Sequence, residues 1–394
     1  MNIRTAIKLR FGAFMGCLLA LTILAGCSQN ENKGAMTAGY APQPVFKFRM
    51  VTTWPKNFPG MGVAAENLAK AVDEMSDGRL TITVYGSGEV VPALGVFEAV
   101  SLGNVEMGHG AAYYWKGKVP AAQFFTTVPF GMTAQEMNAW LHHGGGMTLW
   151  EELYEPYNLV PIAGGNTGVQ MAGWFNKEIN SIEDIQGLKM RIPGLGGEVF
   201  NRVGGSAQTL PGSEIYTSLQ MGAVDATEWV GPYNDLAFGL HQVAEYYYYP
   251  GWHEPGPTLE TIINKEAWDS LPPDLQAILR TASRMINEDS LSEYTARNND
   301  ALRELVEEHG VKIRRLPDDV IEALREASRE VVSALPGDDE LAQRIHSSYS
   351  EFHEDVLRYH EISERAYINP VSYTHLRAHE TREDRVCRLL VEKK

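Results

Sequence analysis

The chain contains only three cysteines in 394 residues, with Cys17 and Cys27 near the start and Cys387 near the other end. Neither a disulfide framework nor a cysteine-ligated metal site can be built from them. Basic residues are also scarce, with 34 Lys and Arg against 50 Asp and Glu and a formal net charge of -16. Nucleic acids are bound through basic surfaces, so this composition argues against a nucleic-acid-binding protein.

The uncharged apolar run near the start, Phe11–Gly26, is shorter than the roughly 20 residues of a membrane-spanning helix. It follows a basic stretch and ends in Leu24-Ala25-Gly26-Cys27, which resembles the bacterial lipobox. Residues 1–26 therefore predict a lipoprotein signal peptide, with Cys27 as the lipidated residue. Ordinary signal-peptide cleavage, with Cys27 incidental, is the alternative. Either way we expect the mature protein outside the cytoplasm, and under the lipobox interpretation it is periplasmic and attached to the membrane through its lipid anchor alone.

The segments at both ends differ from the body of the chain. Residues 27–44 are rich in Gln, Asn, Gly, Ala and Pro, which is typical of a flexible tether. Residues 371–394 resemble translated sequencing-adapter read-through, so we expect a non-native tail there. Removing the three cations of the leader and the net +2 of the tail from -16 leaves -21 on the body. Such an acidic body can bind an anion only through local cations.

Strand and helix patterns alternate along the body, which predicts an α/β fold with a mainly parallel sheet. About 340 residues favour two lobes over a single core. From Pro272 the chain turns helical, and a helix reaching Glu308 would span about 50 Å, enough to lie across both lobes. The predicted strands are 46–52, 80–85, 105–109, 159–163, 170–175, one containing Arg191, and 246–249; the predicted helices are 61–75, 92–102, 134–153, 196–203, 214–221, 272–308, and two more after 317 and 337.

Arg191 is the first candidate binding residue. Met190 and Ile192 alternate around it as in a short strand, and Pro193-Gly194 ends that strand and opens a loop. A guanidinium at a strand end offers a planar fork that matches a carboxylate. A surface arginine or an internal salt bridge is the alternative explanation of this segment.

Gln170 and Glu228 are candidate binding residues together with Arg191, because polar residues at strand ends lie in the crevices of α/β lobes, where ligands bind. Glu228 beside a bound anion would be repulsive unless a cation lay between them. A sodium or calcium ion held by Gln170, Glu228, a carbonyl near Trp229 and the ligand would remove that conflict. With sodium the charges of arginine, metal, ligand and glutamate sum to zero. Trp229 would then form an apolar wall.

Competing motifs are weaker. Gly194-Leu195-Gly196-Gly197 lacks the later glycine of a dinucleotide loop and is interpreted as loop glycines. His142-His143-Gly144-Gly145-Gly146 follows a predicted helix and is interpreted as its C-terminal stop. Trp252-His253-Glu254-Pro255 has no further ligand at zinc-site spacing. No serine or cysteine occupies a Gly-x-Ser-x-Gly motif, so a catalytic role is not expected.

Several sequence blocks, in order over residues 45 to 368, resemble the periplasmic solute-binding subunits of TRAP transporters (DctP-type). The resemblance is strongest to the subgroup for α-keto acids and related monocarboxylates. It is carried by Met107-Gly108-His109 with Tyr113-Tyr114, Asn166–Phe175, Gly187–Gly194 and Val224–Trp229.

The resemblance implies a two-lobed periplasmic binding protein fold with crossing hinge strands, a long lobe-spanning helix and a helical C-terminal region. Lobe I would comprise residues 45–165 and about 250–285, and lobe II residues 166–249 and about 286–370. Dimers form in this subgroup by exchange of a C-terminal helix, so a homodimer is possible here.

The resemblance also assigns roles. Arg191 would pair with the carboxylate of a small 2-oxo or 2-hydroxy acid, and Gln170, Glu228 and Trp229 would hold the bridging metal. Asn166, Tyr113 and Tyr114 would line the pocket. The implied function is an extracytoplasmic receptor that delivers its ligand to TRAP permease subunits. An exported metal-dependent enzyme acting on a keto acid, or a receptor serving another transporter or a sensor, are the alternatives.

Overall fold

The computed structural model describes residues 43–369. The signal peptide, nearly all of the tether with Cys27, and the tail at 371–394 lie outside the described residues, so those expectations stay predictions. Among the described helices, none is long and apolar enough to cross a membrane.

The strands form two sheets. In the first the order is β2-β1-β3-β10-β4, and in the second it is β11-β9-β5-β8-β6-β7. The strands are β1 (Phe46–Thr52), β2 (Leu80–Tyr85), β3 (Met107–Gly110), β4 (Leu159–Asn166), β5 (Gly173–Phe175), β6 (Lys189–Arg191), β7 (Ser206–Gln208), β8 (Ala226–Thr227), β9 (Tyr246–Tyr249), β10 (Thr258–Asn264) and β11 (Lys312–Arg315).

Both sheets are mixed rather than mainly parallel. In the first, β1 pairs in parallel with β2 and β3, whereas β10 runs antiparallel to β3 and β4. In the second, β6 is parallel to β7 and β8, and β5 is antiparallel to β8 and β9. Strand β5 follows β4, and β10 follows β9, with no helix in between. Parallel neighbours need a crossover connection, usually a helix. The alternation of strand and helix patterns therefore predicted parallel strands and not these antiparallel ones.

Helices cover the sheets and fill the C-terminal third. Short 3₁₀ segments lie at Ala93–Gly95, Ala112–Trp115, Pro120–Phe125, Glu155–Tyr157, Ile182–Ile185 and Leu240–Gln242. The α-helices are α1 (Met61–Met75), α2 (Val96–Ser101), α3 (Ala134–His143), α4 (Gly146–Tyr154), α5 (Gly194–Arg202), α6 (Gly212–Gln220), α7 (Pro232–Phe238), α8 (Lys265–Ser270), α9 (Pro273–Glu307), α10 (Asp318–Ala334) and α11 (Glu340–His360).

The 35-residue helix α9 spans the range predicted for it. It packs against α1 and β4 beside the first sheet and against α7 beside the second. Leu275 and Leu279 join the apolar core under the first sheet, while Tyr294 and Leu305 join a second apolar cluster. One continuous helix therefore contacts elements associated with both sheets.

Three local predictions need correction. The predicted helix at 134–153 is two helices, because Gly145 adopts a φ of 89° that ends the first and redirects the chain. The loop predicted at Gly194 is the start of α5, since Gly194 turns the chain at a φ of 60° straight into that helix. The strand predicted from Gln170 begins only at Gly173.

Candidate functional site

Arg191 is the last residue of β6, as its sequence context predicted, and only 1% of it is exposed. Its Nη1 donates to the backbone oxygen of Glu228 at 3.1 Å and also to the Glu228 carboxylate. Its Nε donates to the Leu210 carbonyl at 3.1 Å, and its Nη2 lies 3.4 Å from the hydroxyl of Tyr114. The internal salt bridge that the sequence left open is thus present, and Nη2 is the nitrogen with the longest contact.

Glu228 reaches Arg191 because their strands are neighbours. Strands β6 and β8 are parallel, with Arg191 opposite Thr227, so the residues after each strand leave the same edge of the sheet. The amide of Glu228 donates to the Arg191 carbonyl at 3.1 Å, which fixes the backbone of the pair. Glu228 is also 1% exposed, and its Oε2 has no hydrogen-bond partner among the described residues.

Gln170 lies in the loop before β5, where its amide donates to the Glu254 carbonyl at 3.1 Å rather than to a strand. Its side-chain Nε2 donates to the Thr167 hydroxyl at 3.1 Å. Its Oε1 is buried with no donor in the described part of the chain. Buried polar atoms are nearly always paired, so such an oxygen points to a further group at this place.

His253 and Glu254 complete the cluster. Their ligand atoms and those of Glu228 lie within 4.8 Å of one another, and His253 Nε2 is 3.4 Å from Glu228 Oε2. Burial raises the pKa of Glu254 well above its usual range, and the charge of Glu228 adds to the effect. Sequence reasoning set this pair aside for want of a local ligand, because the missing partner comes from a distant strand end.

A narrow cavity lies over this cluster, and segments that adjoin strands of both sheets contribute to its wall. Four of the residues predicted to bind ligand, Tyr113, Tyr114, Gln170 and Trp229, are in that wall. The lining residues are Trp54, Met61, Tyr113, Tyr114, Thr167, Gln170, Trp229, Val230, Glu254, Pro257 and Leu259.

Aromatic side chains lie around Arg191 and along the cavity wall. The Trp229 ring lies over the guanidinium, 5.3 Å from its carbon to the ring centroid, which is a cation–π contact. Tyr113 packs edge-on against Tyr114 at 4.8 Å between ring centroids. Trp229, Tyr113 and Tyr114 thus give the cavity an aromatic lining, and the role of Trp229 as an apolar wall for the ligand stays a prediction.

Asn166 is not among the lining residues. Its side chain donates to the Gly256 carbonyl at 3.2 Å and accepts from the Gly168 amide at 2.9 Å. These bonds shape the loop that carries Thr167 and Gln170. A direct ligand contact for Asn166 stays a prediction.

Trp54 is a lining residue that sequence reasoning missed. Its indole donates to His109 Nδ1 at 2.8 Å, and its ring meets Trp229 edge-on at 6.4 Å between centroids. Burial lowers the pKa of His109 to about 4, which keeps it a neutral acceptor for that bond. The signal was available, since Trp54 follows β1 at the edge where strand-end residues gather.

Two mixed sheets, a helix that contacts elements associated with both, and a buried arginine–carboxylate site beneath a cavity between them define an extracytoplasmic solute-binding protein. The sequence model of the bacterial extracellular solute-binding proteins of family 7 matches residues 50–336. The chain belongs to this family, the DctP-type solute receptors of TRAP transporters.

Relatives of known ligand match this chain along nearly their whole length. A monocarboxylate 2-oxoacid-binding periplasmic protein of Nostoc sp. is 43% identical over 350 residues, 89% of this chain and 94% of that protein. A TRAP solute-binding protein of Pseudoalteromonas atlantica, solved with sodium and pyruvate, has a TM-score of 0.80 at 46% identity and covers 82% of this chain and 99% of that one. One from Colwellia psychrerythraea, solved with calcium and pyruvate, has a TM-score of 0.80 at 43% identity, covering 83% and 99%.

The donor set of this chain fits a hard cation. Gln170 Oε1, Glu228 Oε2 and Glu254 Oε2 are buried oxygens without partners in the described residues. Carboxylate and amide oxygens are the ligands that calcium and similar hard ions prefer. Homologous structures hold sodium or calcium together with pyruvate.

Proposed function

We propose that this protein is a periplasmic TRAP receptor that binds pyruvate or a closely related 2-oxo or 2-hydroxy monocarboxylate together with sodium or calcium. The observation that carries the proposal is the buried Arg191–Glu228 pair, together with an oxygen of Gln170 in the cavity wall that has no partner in the described residues. The relatives solved with pyruvate support the ligand class.

In this proposal Arg191 anchors the ligand carboxylate through Nη2, whose contact within the described residues is the long one to the Tyr114 hydroxyl. Gln170, Glu228 and the Trp229 carbonyl hold the cation. The cation supplies positive charge between Glu228 and the ligand, so that two anions can share one buried space. Trp229 and Tyr113 exclude water from the ligand.

Closure of the two lobes over the ligand is part of the same proposal, with lobe I at 45–165 and about 250–285. The cavity wall supports it, because Trp54 and Tyr113 come from the segments of the first sheet and Trp229 from the end of β8. A ligand that contacts both sides stabilises the closed arrangement and shifts the population toward it. Delivery to the TRAP permease subunits follows from the family.

A melting-temperature screen tests the ligand class. Purified protein is heated with a panel of 2-oxo acids, 2-hydroxy acids and dicarboxylates, each with sodium or calcium present. We expect stabilisation by pyruvate and its near analogues only, since a ligand that binds the folded state raises its melting temperature. Stabilisation by dicarboxylates alone would contradict the proposed class.

The receptor proposal excludes turnover, and mass analysis of the same mixtures tests that part. A metal-dependent enzyme would need a base close to the ligand, and Glu254 is the carboxylate placed to serve as one. We expect each acid to be recovered unchanged. A product from any acid would favour the exported enzyme over the receptor.

We also propose attachment to the membrane through a lipid on Cys27. Metabolic labelling with a fatty-acid analogue in a bacterial host tests it. Label on the wild-type protein but not on a Cys27→Ala variant is expected, whereas equal label on both, or none on either, would contradict a lipid anchor.

A further inference from the structure

Asp235 is a buried carboxylate that the proposed function does not use. It lies in α7 and is 1% exposed. Its Oδ2 accepts hydrogen bonds from the Trp174 indole at 3.0 Å and the Tyr247 hydroxyl at 2.6 Å, and its Oδ1 accepts one from the Val230 amide at 3.2 Å. Donors from β5, from β9 and from the segment after β8 thus converge on one side chain.

The bond to the Val230 amide connects Asp235 to the cavity. Val230 is a lining residue and directly follows Trp229 in the chain. The carbonyl of Val230 accepts from the amide of Met171 at 3.0 Å, in the loop that carries Gln170. Asp235 therefore holds the segment after β8 at the point where it meets the loop before β5.

Helix α7 gives this carboxylate a fixed base. Asn234, its neighbour in the helix, accepts from the Tyr294 hydroxyl of α9 at 2.8 Å. One turn further along α7, Phe238 packs against the Trp229 ring at 4.9 Å between ring centroids. The helix thus contacts both the ring and the backbone of the segment after β8, and Asp235 makes the contact to the backbone.

The three donors around Asp235 require a carboxylate rather than an amide. An ionised carboxylate accepts on both oxygens, whereas an amide must direct its NH₂ group at one of the two sets of donors. In Asp235→Asn the amide nitrogen faces either the Trp174 indole N–H or the Val230 N–H, and neither of these can accept. The Tyr247 hydroxyl can, because it both donates and accepts. The substitution therefore leaves at least one buried N–H unpaired.

We propose that Asp235 is a positioning residue of the ligand site: through the Val230 amide it fixes the segment Glu228–Trp229. That segment and the loop of Gln170 hold the ligand and its cation in the proposed function, on which the inference rests. Asp235 is not itself a lining residue of the cavity, so it acts through its neighbours. Removing a group that orients metal ligands commonly weakens binding by about tenfold to hundredfold.

Calorimetric titration of pyruvate into the purified full chain, with saturating calcium or sodium, tests the proposal. In Asp235→Asn we expect pyruvate affinity to fall about tenfold to hundredfold, because the segment after β8 loses its support. In the double variant Asp235→Asn/Trp174→Phe, the amide oxygen can accept from Val230 while its nitrogen meets no second N–H. We expect this variant to recover most of the affinity even if its melting temperature falls further, which a general loss of core stability would not produce.

Glu260→Gln is the matched control. Glu260 of β10 is also a buried carboxylate that accepts from one tryptophan and one tyrosine, Trp115 and Tyr154, and neither of these lines the cavity. Burial raises the pKa of Glu260 and that of Asp235 to about 7. We expect Glu260→Gln to melt at a lower temperature than the wild type, as Asp235→Asn does, but to bind pyruvate with wild-type affinity.

Hydrogen exchange of the Val230 amide, followed by NMR in the ligand-free protein, reports on the bond itself. We expect slow exchange in the wild type and in Glu260→Gln, and exchange at least about tenfold faster in Asp235→Asn. If Asp235→Asn fails to fold, the wild-type exchange rate decides, since an unprotected Val230 amide would overturn the proposal.

Equal pyruvate affinity in Asp235→Asn and the wild type would also overturn it. Equal losses of affinity in Asp235→Asn and Glu260→Gln would do the same, because they would show a general effect of losing a buried acid. Failure of the proposed function is distinct: it appears as absent pyruvate binding by the wild type with either ion, while exchange of the Val230 amide still reports on Asp235.

Discussion

At the scale of single residues, the site is built around a buried ion pair that does little for stability by itself. Removing two charges from water costs free energy that their attraction in the interior barely repays. Arg191 and Glu228 lie at strand ends beneath a cavity, where a ligand carboxylate and a cation could each engage one partner. In the proposed function, this pair is a binding device that stays neutral as a unit.

The Arg191→Lys variant tests whether Arg191 binds the ligand carboxylate. Lysine keeps the positive charge but loses the planar fork, so pyruvate binding should weaken by about 1.5 to 3 kcal/mol, the range for hydrogen bonds to charged groups. Calorimetric titration with saturating cation measures it. Unchanged affinity would place Arg191 outside the ligand contacts.

Glu228→Gln tests the other half of the pair. The variant leaves the Arg191 guanidinium buried without its counter-charge, so the free energy of unfolding should fall by about 3 kcal/mol. Dependence of pyruvate binding on the cation should also disappear. Denaturant unfolding and titration with and without chelator give the two readings; retained cation dependence would remove Glu228 from the ligand set.

At the scale of elements, the sequence could predict where some strands end and which segments form helices. Arg191 ends β6 because Pro193 and Gly194 stop the strand, and α1 and α9 follow their apolar spacing. The approach of His253 and Glu254 to Glu228 could not be predicted, since it depends on sheet pairing between segments with no shared periodicity. Gln170 was expected on a strand but lies in a loop. There its amide donates to the Glu254 carbonyl and the amide of Met171 donates to the Val230 carbonyl, in place of a sheet ladder.

The buried His109 in β3 should make the stability of the protein depend on pH. It links the Trp54 indole to the Gly164 carbonyl, 3.1 Å from its Nε2, and so joins β3 to the segment after β1 and to β4. Its pKa is lowered from 6.5 to about 4 by burial. The unfolded chain takes up a proton below pH 6.5 while the folded chain does not, so stability should be lost as pH falls from about 6.5 to 4.

The size of this loss should be about 3 kcal/mol for the single histidine, from about 1.4 kcal/mol per pKa unit. Denaturant unfolding at pH 7 and pH 4.5 measures it. His109→Gln, which can keep both hydrogen bonds without titrating, is the control and should show a smaller loss. An equal pH dependence in the two proteins would contradict this assignment.

The hydroxyl of Tyr294 in α9 should stabilise the packing of this helix against α7. Its hydroxyl donates to Asn234 Oδ1 at 2.8 Å, and Asn234 in α7 donates to the Pro59 carbonyl at 2.9 Å. Tyr294→Phe leaves that buried oxygen unpaired and should cost about 1 to 3 kcal/mol of unfolding free energy. Tyr233→Phe, which alters a part-buried hydroxyl of the same region, should cost less, and equal losses in the two variants would contradict the role given to Tyr294.

At the scale of the whole molecule, the acidic body opposes an approaching anion, so the proposed binding of a small carboxylate must rely on local positive charge. The chain's net charge is -16, and the positive charge in the candidate site comes from one buried arginine. Added cations would supply the remainder of the attraction. Ligand recognition should then be inseparable from cation binding.

Calorimetric titration of pyruvate into the chelator-treated protein, repeated with calcium, with sodium and with choline in place of metal ions, tests this claim most directly. The account predicts binding with calcium or sodium and its loss in choline, with at least about a tenfold change in affinity. Equal affinity for pyruvate in all three buffers would contradict it.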